Sequence, residues 1–243
     1  MKFFRTIIPL FLLLAMVSME AEALQVEREI GIVRRFKPDV TVTNLDKDKL
    51  KTLDPAEDIG ERLFSGDSLL TDSEGFALVY FMDKSIAKVK PNSLLIINGD
   101  VELSSKVSNT MINLQRGELF LQVQPQGANE FEVYTSRSLA SVKGTDFGSR
   151  SDGFVWVEEG QVDVTALNSG ETISLFDEMY AQVDEEGNSI DSGMLEQAEL
   201  RTLNTGFDEM DTDLIQKEII LKFRDQNGQL REIKIDVFEE GQN

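Results

Sequence analysis

The side chains available for chemistry are limited from the outset, because the sequence has no histidine and no cysteine. That removes Ser-His-Asp triads, Cys-His dyads and the usual zinc ligand sets. Carboxylates remain, within forty-four acidic residues. A glycoside hydrolase needs only two of them flanking a sugar bond, and Glu158-Glu159 is the adjacent pair that invites the comparison. Neighbours along a strand point to opposite faces, so this pair is expected to diverge at a solvated strand end. Convergence would have to come from carboxylates on different strands. No catalytic residue is assigned, and the chain is expected not to be an enzyme.

Metal and phosphate chemistry are weakly supported. Asp46-Lys47-Asp48, Asp184-Glu185-Glu186-Gly187-Asn188 and residues 208–213 are oxygen-rich loops whose donors suit calcium, but none keeps the EF-hand spacing. Solvated acidic loops are the expectation there. No cofactor is expected, and calcium is the one ion the donors suit. Gly144 lacks the following lysine and helix that a phosphate-cradling loop requires. With 24 basic residues against 44 acidic ones, the net charge of −20 repels nucleic acid and anionic membrane surfaces.

Position in the cell follows from the first residues. Lys2 and Arg5 precede an apolar run from Ile7 to Val17, and Ala21-Glu22-Ala23 supplies small residues where a signal peptidase reads. This is the grammar of a secretory signal over 1–23, cut after Ala23. The run falls well short of the ~20 residues that cross a bilayer, and no second apolar stretch follows. An exported chain, in the periplasm or outside, without disulfides and without a membrane span after cleavage, is expected.

The remainder must build its core from strands. Residues 24–58 read as a lead-in, with strands at Ile30–Val33 and Val40–Val42 and a polar loop from Asn44 to Asp58. From Ile59 onward apolar residues recur with a period of two: Leu119, Leu121 and Val123; Phe131 and Val133; Val155 and Val157; Val162 and Val164; Ile173 and Leu175. Phe76–Phe81 is apolar on both faces, as a doubly buried strand would be. Turn signals such as Arg116-Gly117, Asp152-Gly153 and Asn168-Ser169-Gly170 separate these runs. Many short strands at such spacing predict an all-β domain over 59–190. The tail, 191–243, reads as a short helix from Met194 to Leu203, an acidic linker from Thr205 to Asp213, and a β-hairpin. Its strands are Glu218–Phe223 and Glu232–Val237, flanking a turn with Asn227-Gly228.

The middle of the chain resembles the FecR domain family. Gly66-Asp67-Ser68-Leu69-Leu70-Thr71 is similar to that domain's opening, and Pro91-Asn92-Ser93-Leu94 to its next step. Leu114, Gly117 and Glu118 are similar to a strand pair, and Ala140-Ser141-Val142-Lys143-Gly144-Thr145-Asp146-Phe147 to the hallmark. The final strand pair, Val155 to Val164 around Gly160, completes the likeness. Asp83-Lys84-Ser85 departs from it where the family often has a turn glycine. The resemblance implies an all-β core, coiled as a short β-solenoid-like or jelly-roll-like sandwich. Its motif residues, Gly66, Asp67, Thr71, Pro91, Gly117, Val142, Gly144, Thr145, Phe147 and Gly160, have a structural reading. The glycines serve turns and close approaches, Asp67 and Thr145 bond nearby backbone, and Phe147 and Trp156 anchor the core.

The name-giving proteins pass a signal from an outer-membrane receptor to a cytoplasmic sigma factor and carry a transmembrane helix before this domain. Here only a signal peptide precedes it, so that role is not carried over. The expected function is a non-catalytic binding or scaffolding module of the bacterial cell envelope. Its partner would be an envelope protein or a surface glycan. The alternatives are a periplasmic signalling component acting through a separate membrane partner, and a calcium-dependent surface protein.

Overall fold

A computed structural model describes residues 29–101, 107–127, 129–211, 214–224 and 229–240. The expected signal segment over 1–23 and the expected turn at Asn227-Gly228 lie outside the described residues. The strands begin with β1 (Glu29–Lys37), β2 (Val40–Asn44), β3 (Lys49–Thr52), β4 (Glu61–Phe64) and β5 (Asp67–Thr71). Then come β6 (Phe76–Phe81), β7 (Ile86–Val89), β8 (Leu94–Val101), β9 (Val107–Arg116) and β10 (Glu118–Val123). They continue as β11 (Glu130–Tyr134), β12 (Ser138–Val142), β13 (Thr145–Arg150), β14 (Phe154–Glu159) and β15 (Val162–Ala166). The last are β16 (Thr172–Leu175), β17 (Met179–Val183) and β18 (Ile190–Met194), followed by helices α1 (Gln197–Asn204) and α2 (Asp208–Asp211) and the hairpin β19 (Leu214–Arg224) and β20 (Leu230–Glu240).

The fold is an all-β sandwich of two nine-stranded sheets. Sheet I has the order β18-β17-β14-β13-β10-β7-β6-β1-β4, and sheet II the order β16-β15-β12-β11-β9-β8-β5-β2-β3. From β6 onward hairpins alternate between the sheets, with one exception. β10 is a single strand of sheet I between two hairpins of sheet II. The chain therefore makes one full turn from β9 through β10 to β11, and β9 and β11 pair in parallel. This is the one place among the described residues where it coils as a solenoid does.

Side-chain alternation explains which faces close. In sheet II, β2, β5, β12 and β15 bury every second residue, leaving the outer face wet. Their inward residues, among them Val42, Leu69, Ala140 and Val164, together with Phe131 of β11, meet Val79, Leu119, Leu121, Phe147 and Val157 of sheet I in one core. Phe81 and Phe131 join the sheets edge to face, with ring centroids 5.4 Å apart at 87°. Each such side chain contributes roughly 1.5–3 kcal/mol of burial. In sheet I, β6, β10 and β14 bury consecutive residues in their middles. Both of their faces are covered, which is why Phe76–Phe81 reads as apolar throughout.

Four boundaries differ from the sequence reading. β1, β2 and β3 of the lead-in are built into the two sheets, and the loop expected from Asn44 to Asp58 contains β3. β3 is an edge strand of alternating lysines (Lys49 and Lys51), and charged, half-exposed edges lack an apolar signature. The helix expected from Met194 starts at Gln197, because Ile190–Met194 pairs with β17. The backbone N–H of Glu196 donates to Glu199 Oε2 at 2.8 Å, which sets that start. The acidic linker contains α2, pinned by the buried Phe207 and Met210.

Candidate functional site

The outer face of sheet I is covered by the segment 195–211. Trp156 of β14 and Phe120 of β10 lie beneath Leu200, Phe207 and Met210, flanked by Phe76, Phe154, Tyr180, Leu195 and Leu203. Phe207 sits 5.6 Å from the Phe120 ring and 6.4 Å from Trp156. Trp156 is fully buried, and the core it anchors is this second cluster, distinct from the inter-sheet one. Polar contacts tie the strap down. Trp156 Nε1 donates to Asn204 Oδ1 at 3.0 Å, and the Arg35 guanidinium donates to the Met210 carbonyl at 3.0 Å. Lys90 Nζ donates to the Leu203 carbonyl at 3.2 Å and lies 4.1 Å above the Phe207 ring. Beside the strap, Lys90, Pro91, Phe76, Thr205, Gly206 and Met210 help line a groove of about 380 Å³.

A carboxylate cluster lies at the end of the strap. Asp146 pairs with Glu159 while Phe147 pairs with Val157, so Glu158 is an extra residue, a β-bulge. The bulge interrupts the pleat here: the charge of Glu159 acts on Asp146, and that of Asp146 on Glu158. Burial is the main cause that raises the Asp146 and Glu158 carboxyls above the usual carboxylate range, with repulsion from Glu159 adding to it at Asp146 and repulsion from Asp146 adding to it at Glu158. Asp208 adds to the effect on Glu158, whereas the buried Lys88 opposes it on both. Glu158 Oε2 accepts from Asn204 Nδ2 at 3.0 Å, and one Asp146 oxygen accepts from Gln122 Nε2 at 3.4 Å. The cluster has groups able to hold a proton, but these hydrogen bonds run to the protein itself.

The sign of the resulting pH effect follows from linkage. A carboxyl raised in the folded state binds more protons there than in the unfolded chain, so its contribution falls as pH rises through that window. Glu158→Gln removes the charge and keeps an acceptor for Asn204. The variant should melt above the parent at pH 7, with the difference vanishing near about pH 4, where the glutamate is itself neutral. Thermal melts across that range test it, and a lower Tm at pH 7 would show that Lys88 outweighs desolvation.

The motif residues sit at the rims where the chain passes between sheets, and in the core beside them. Gly66, Gly117, Gly144 and Gly160 all have positive φ. At Gly117 the reason is also spatial, since a Cβ would lie 2.1 Å from Ser93 Oγ. Asp67 is buried and receives Asn44 Nδ2 at 2.7 Å and Lys49 Nζ and the Phe64 N–H at 3.1 Å each. Thr71 Oγ1 donates to the Lys90 carbonyl at 2.7 Å and receives the Ser93 N–H at 3.0 Å. Thr145 Oγ1 donates to the Gln161 carbonyl at 2.7 Å, and the Gly160 N–H donates to Asp177 Oδ1 at 2.7 Å. Val142 and Phe147 are in the inter-sheet core, and Pro91 is at the groove.

Among the acidic loops, Asp184 uses both oxygens internally, accepting from the Asn188 N–H and Ser189 Oγ at 2.7 Å each. These bonds hold its carboxyl below the usual range. Among the described residues no group of three carboxylates is arranged to hold a metal ion, and no helix is long and apolar enough to cross a membrane.

Sequence reasoning missed Gly148, Lys88 and Asn204. For Gly148 a signal existed, since a glycine inside a strand pattern marks close approach. A Cβ on it would lie 1.9 Å from the Trp156 ring, its cross-strand neighbour. Nothing in the sequence around Asn204 or Lys88 says that these polar residues will be buried.

A comparison with curated proteins gives no match. Among solved structures, two crystal structures of a "putative anti-sigma factor" from Parabacteroides distasonis ATCC 8503 are similar to this chain, each at 17% identity and a TM-score of 0.48. The likeness covers 57% of this chain and 64% or 65% of theirs, so the chain spans a little under two thirds of their length. The family model for FecR protein matches residues 67–163, the stretch from Asp67 of the first rim turn to Asp163 of β15. The chain carries a FecR domain over these residues.

Proposed function

We propose that this protein is an exported, non-catalytic binding module of the bacterial cell envelope that acts in signalling through a separate membrane partner. The FecR domain carries the reading. Two features of the geometry support it. The groups most capable of chemistry, around Glu158, are tied to Asn204 and Gln122, and the groove of about 380 Å³ is lined by other residues. The chain also continues past its sandwich into a strap and a hairpin, elements that add surface and leave the FecR domain's sheets unchanged. The partner in this reading is an envelope protein. The charge of −20 disfavours nucleic acid and anionic lipid.

The test is affinity capture with the chain from Leu24 as bait, incubated with an envelope extract of its own cells. A stoichiometric membrane-protein partner is the expected result. Retention of a glycan alone, or of nothing, would overturn the protein-partner reading.

A further inference from the structure

The hairpin at the end of the chain carries a strand edge of distinctive order. Among the described residues, β19 and β20 pair only with each other, in register from Leu214↔Glu240 to Arg224↔Leu230. The other edge of β20 thus has no strand beside it among the described residues. A two-stranded hairpin is marginal in water, and further strands are what stabilise it. Charges on an edge usually keep other strands away. On β20 the order of charges admits one partner, a second β20 running antiparallel.

With Ile235 opposite Ile235 of that second strand, Lys234 falls opposite Asp236, Ile233 opposite Val237 and Arg231 opposite Glu239. Two-fold symmetry makes each of these pairs occur twice. Opposite charges facing each other stabilise a ladder, and like charges destabilise it. A shift of two positions sets Lys234 against Lys234 in one direction and Asp236 against Asp236 in the other. A shift of one exchanges the two faces of the strand. Among antiparallel self-pairings of β20, this register alone sets two kinds of opposite-charge pair in place and no like-charge pair. No antiparallel self-pairing of β19 brings more than one kind of opposite-charge pair into place. The hairpin strands also escape the repulsion between copies of a −20 chain, since they hold five basic and five acidic residues.

We propose that β20 pairs antiparallel with β20 of a second copy about a two-fold axis at Ile235, joining two hairpins into a four-stranded sheet and making the protein a dimer. This rests on the hairpin alone and stands or falls independently of any envelope partner.

The experiment is sedimentation equilibrium on the chain from Leu24 in ~0.15 M salt, for the parent, for Lys234→Glu, and for the charge exchange Lys234→Asp with Asp236→Lys. The parent should show a monomer–dimer equilibrium. Lys234→Glu faces Asp236 twice and should weaken the dimer about tenfold or more, and the exchange should restore it. Because the chain lacks cysteine, Ile235→Cys gives a second readout. Directly opposed residues of an antiparallel pair lie about 4.5–5.5 Å apart at Cα, within disulfide reach. Ile235→Cys should oxidise to a covalent dimer on the order of tenfold faster than Ile219→Cys on β19. A parent that stays monomeric, a dimer indifferent to Lys234→Glu and to the exchange, or equal cross-linking at 219 and 235 would each overturn the proposal.

Discussion

Gly148→Val should lower stability by about 3–5 kcal/mol, the largest effect expected of any single substitution outside the inter-sheet core. The Trp156 ring lies over its cross-strand neighbour, where even a Cβ would come within 1.9 Å of the ring. The ring has nowhere to retreat. Phe154 and Phe207 stand 5.9 and 6.4 Å from it, and its N–H is committed to Asn204 at 3.0 Å. A valine must therefore lift the indole and the strap above it. Trp156→Ala should lose a similar ~3–5 kcal/mol, by removing the same contacts from the other side. Because both changes dismantle one packing arrangement, the double variant should lose clearly less than the sum. Urea unfolding of the four proteins measures this, and additive losses would mean that the indole does not depend on Gly148. Trp156 is the chain's only tryptophan, so its emission should shift to the red in Gly148→Val as the ring meets water.

Asp67→Ala should cost about 2–4 kcal/mol. The Asp67 side chain is wholly buried and accepts three hydrogen bonds, from the Asn44 amide at 2.7 Å and from Lys49 Nζ and the Phe64 N–H at 3.1 Å each. Alanine leaves the buried Asn44 amide and the Phe64 N–H without this acceptor, and an unsatisfied buried donor is more costly than a bond is favourable. Lys49→Met should be milder. Its side chain is 23% exposed, and its ammonium has a second carboxylate, Glu61, at 3.2 Å. Asp67→Asn keeps one acceptor but turns donors toward Lys49, so it should fall between the two. Denaturant midpoints of the three variants test the ranking. If Lys49→Met proved the most costly, the ion pair and not the buried acceptor would be holding this corner.

The two sites differ in how far the sequence exposed them. The period-two runs at Leu119–Val123, Phe131–Val133 and Val162–Val164 belong to strands whose inward residues form the core, because alternation is a local property of a half-buried strand. The motif from Gly66 to Gly160 was legible for a similar reason. Its turns are set by local backbone demands, namely positive φ at the glycines and short side chains that bond nearby peptide groups. The hairpin was legible from two alternating runs, and the expectation of an export signal rests on charge, length and small residues alone.

What only the tertiary structure decided depends on residues far apart in the chain. The alternation rule reads Glu158 and Glu159 as ordinary strand neighbours, but a bulge at Glu158 interrupts the pairing beside Asp146. A bulge is specified by the pairing of two strands and not by either one. Trp156 reads from sequence as core, and burial is indeed complete, but its partners Asn204 and Phe207 arrive from a strap some fifty positions later. β3 was hidden because an edge strand of lysines carries no apolar pattern. Sequence by itself determined the strands, the turns and the charge of this protein, since these follow from each segment's own period and backbone demands. The tertiary structure alone decided which face of sheet I is covered and which carboxylates meet, because burial and long-range proximity belong to pairs of segments.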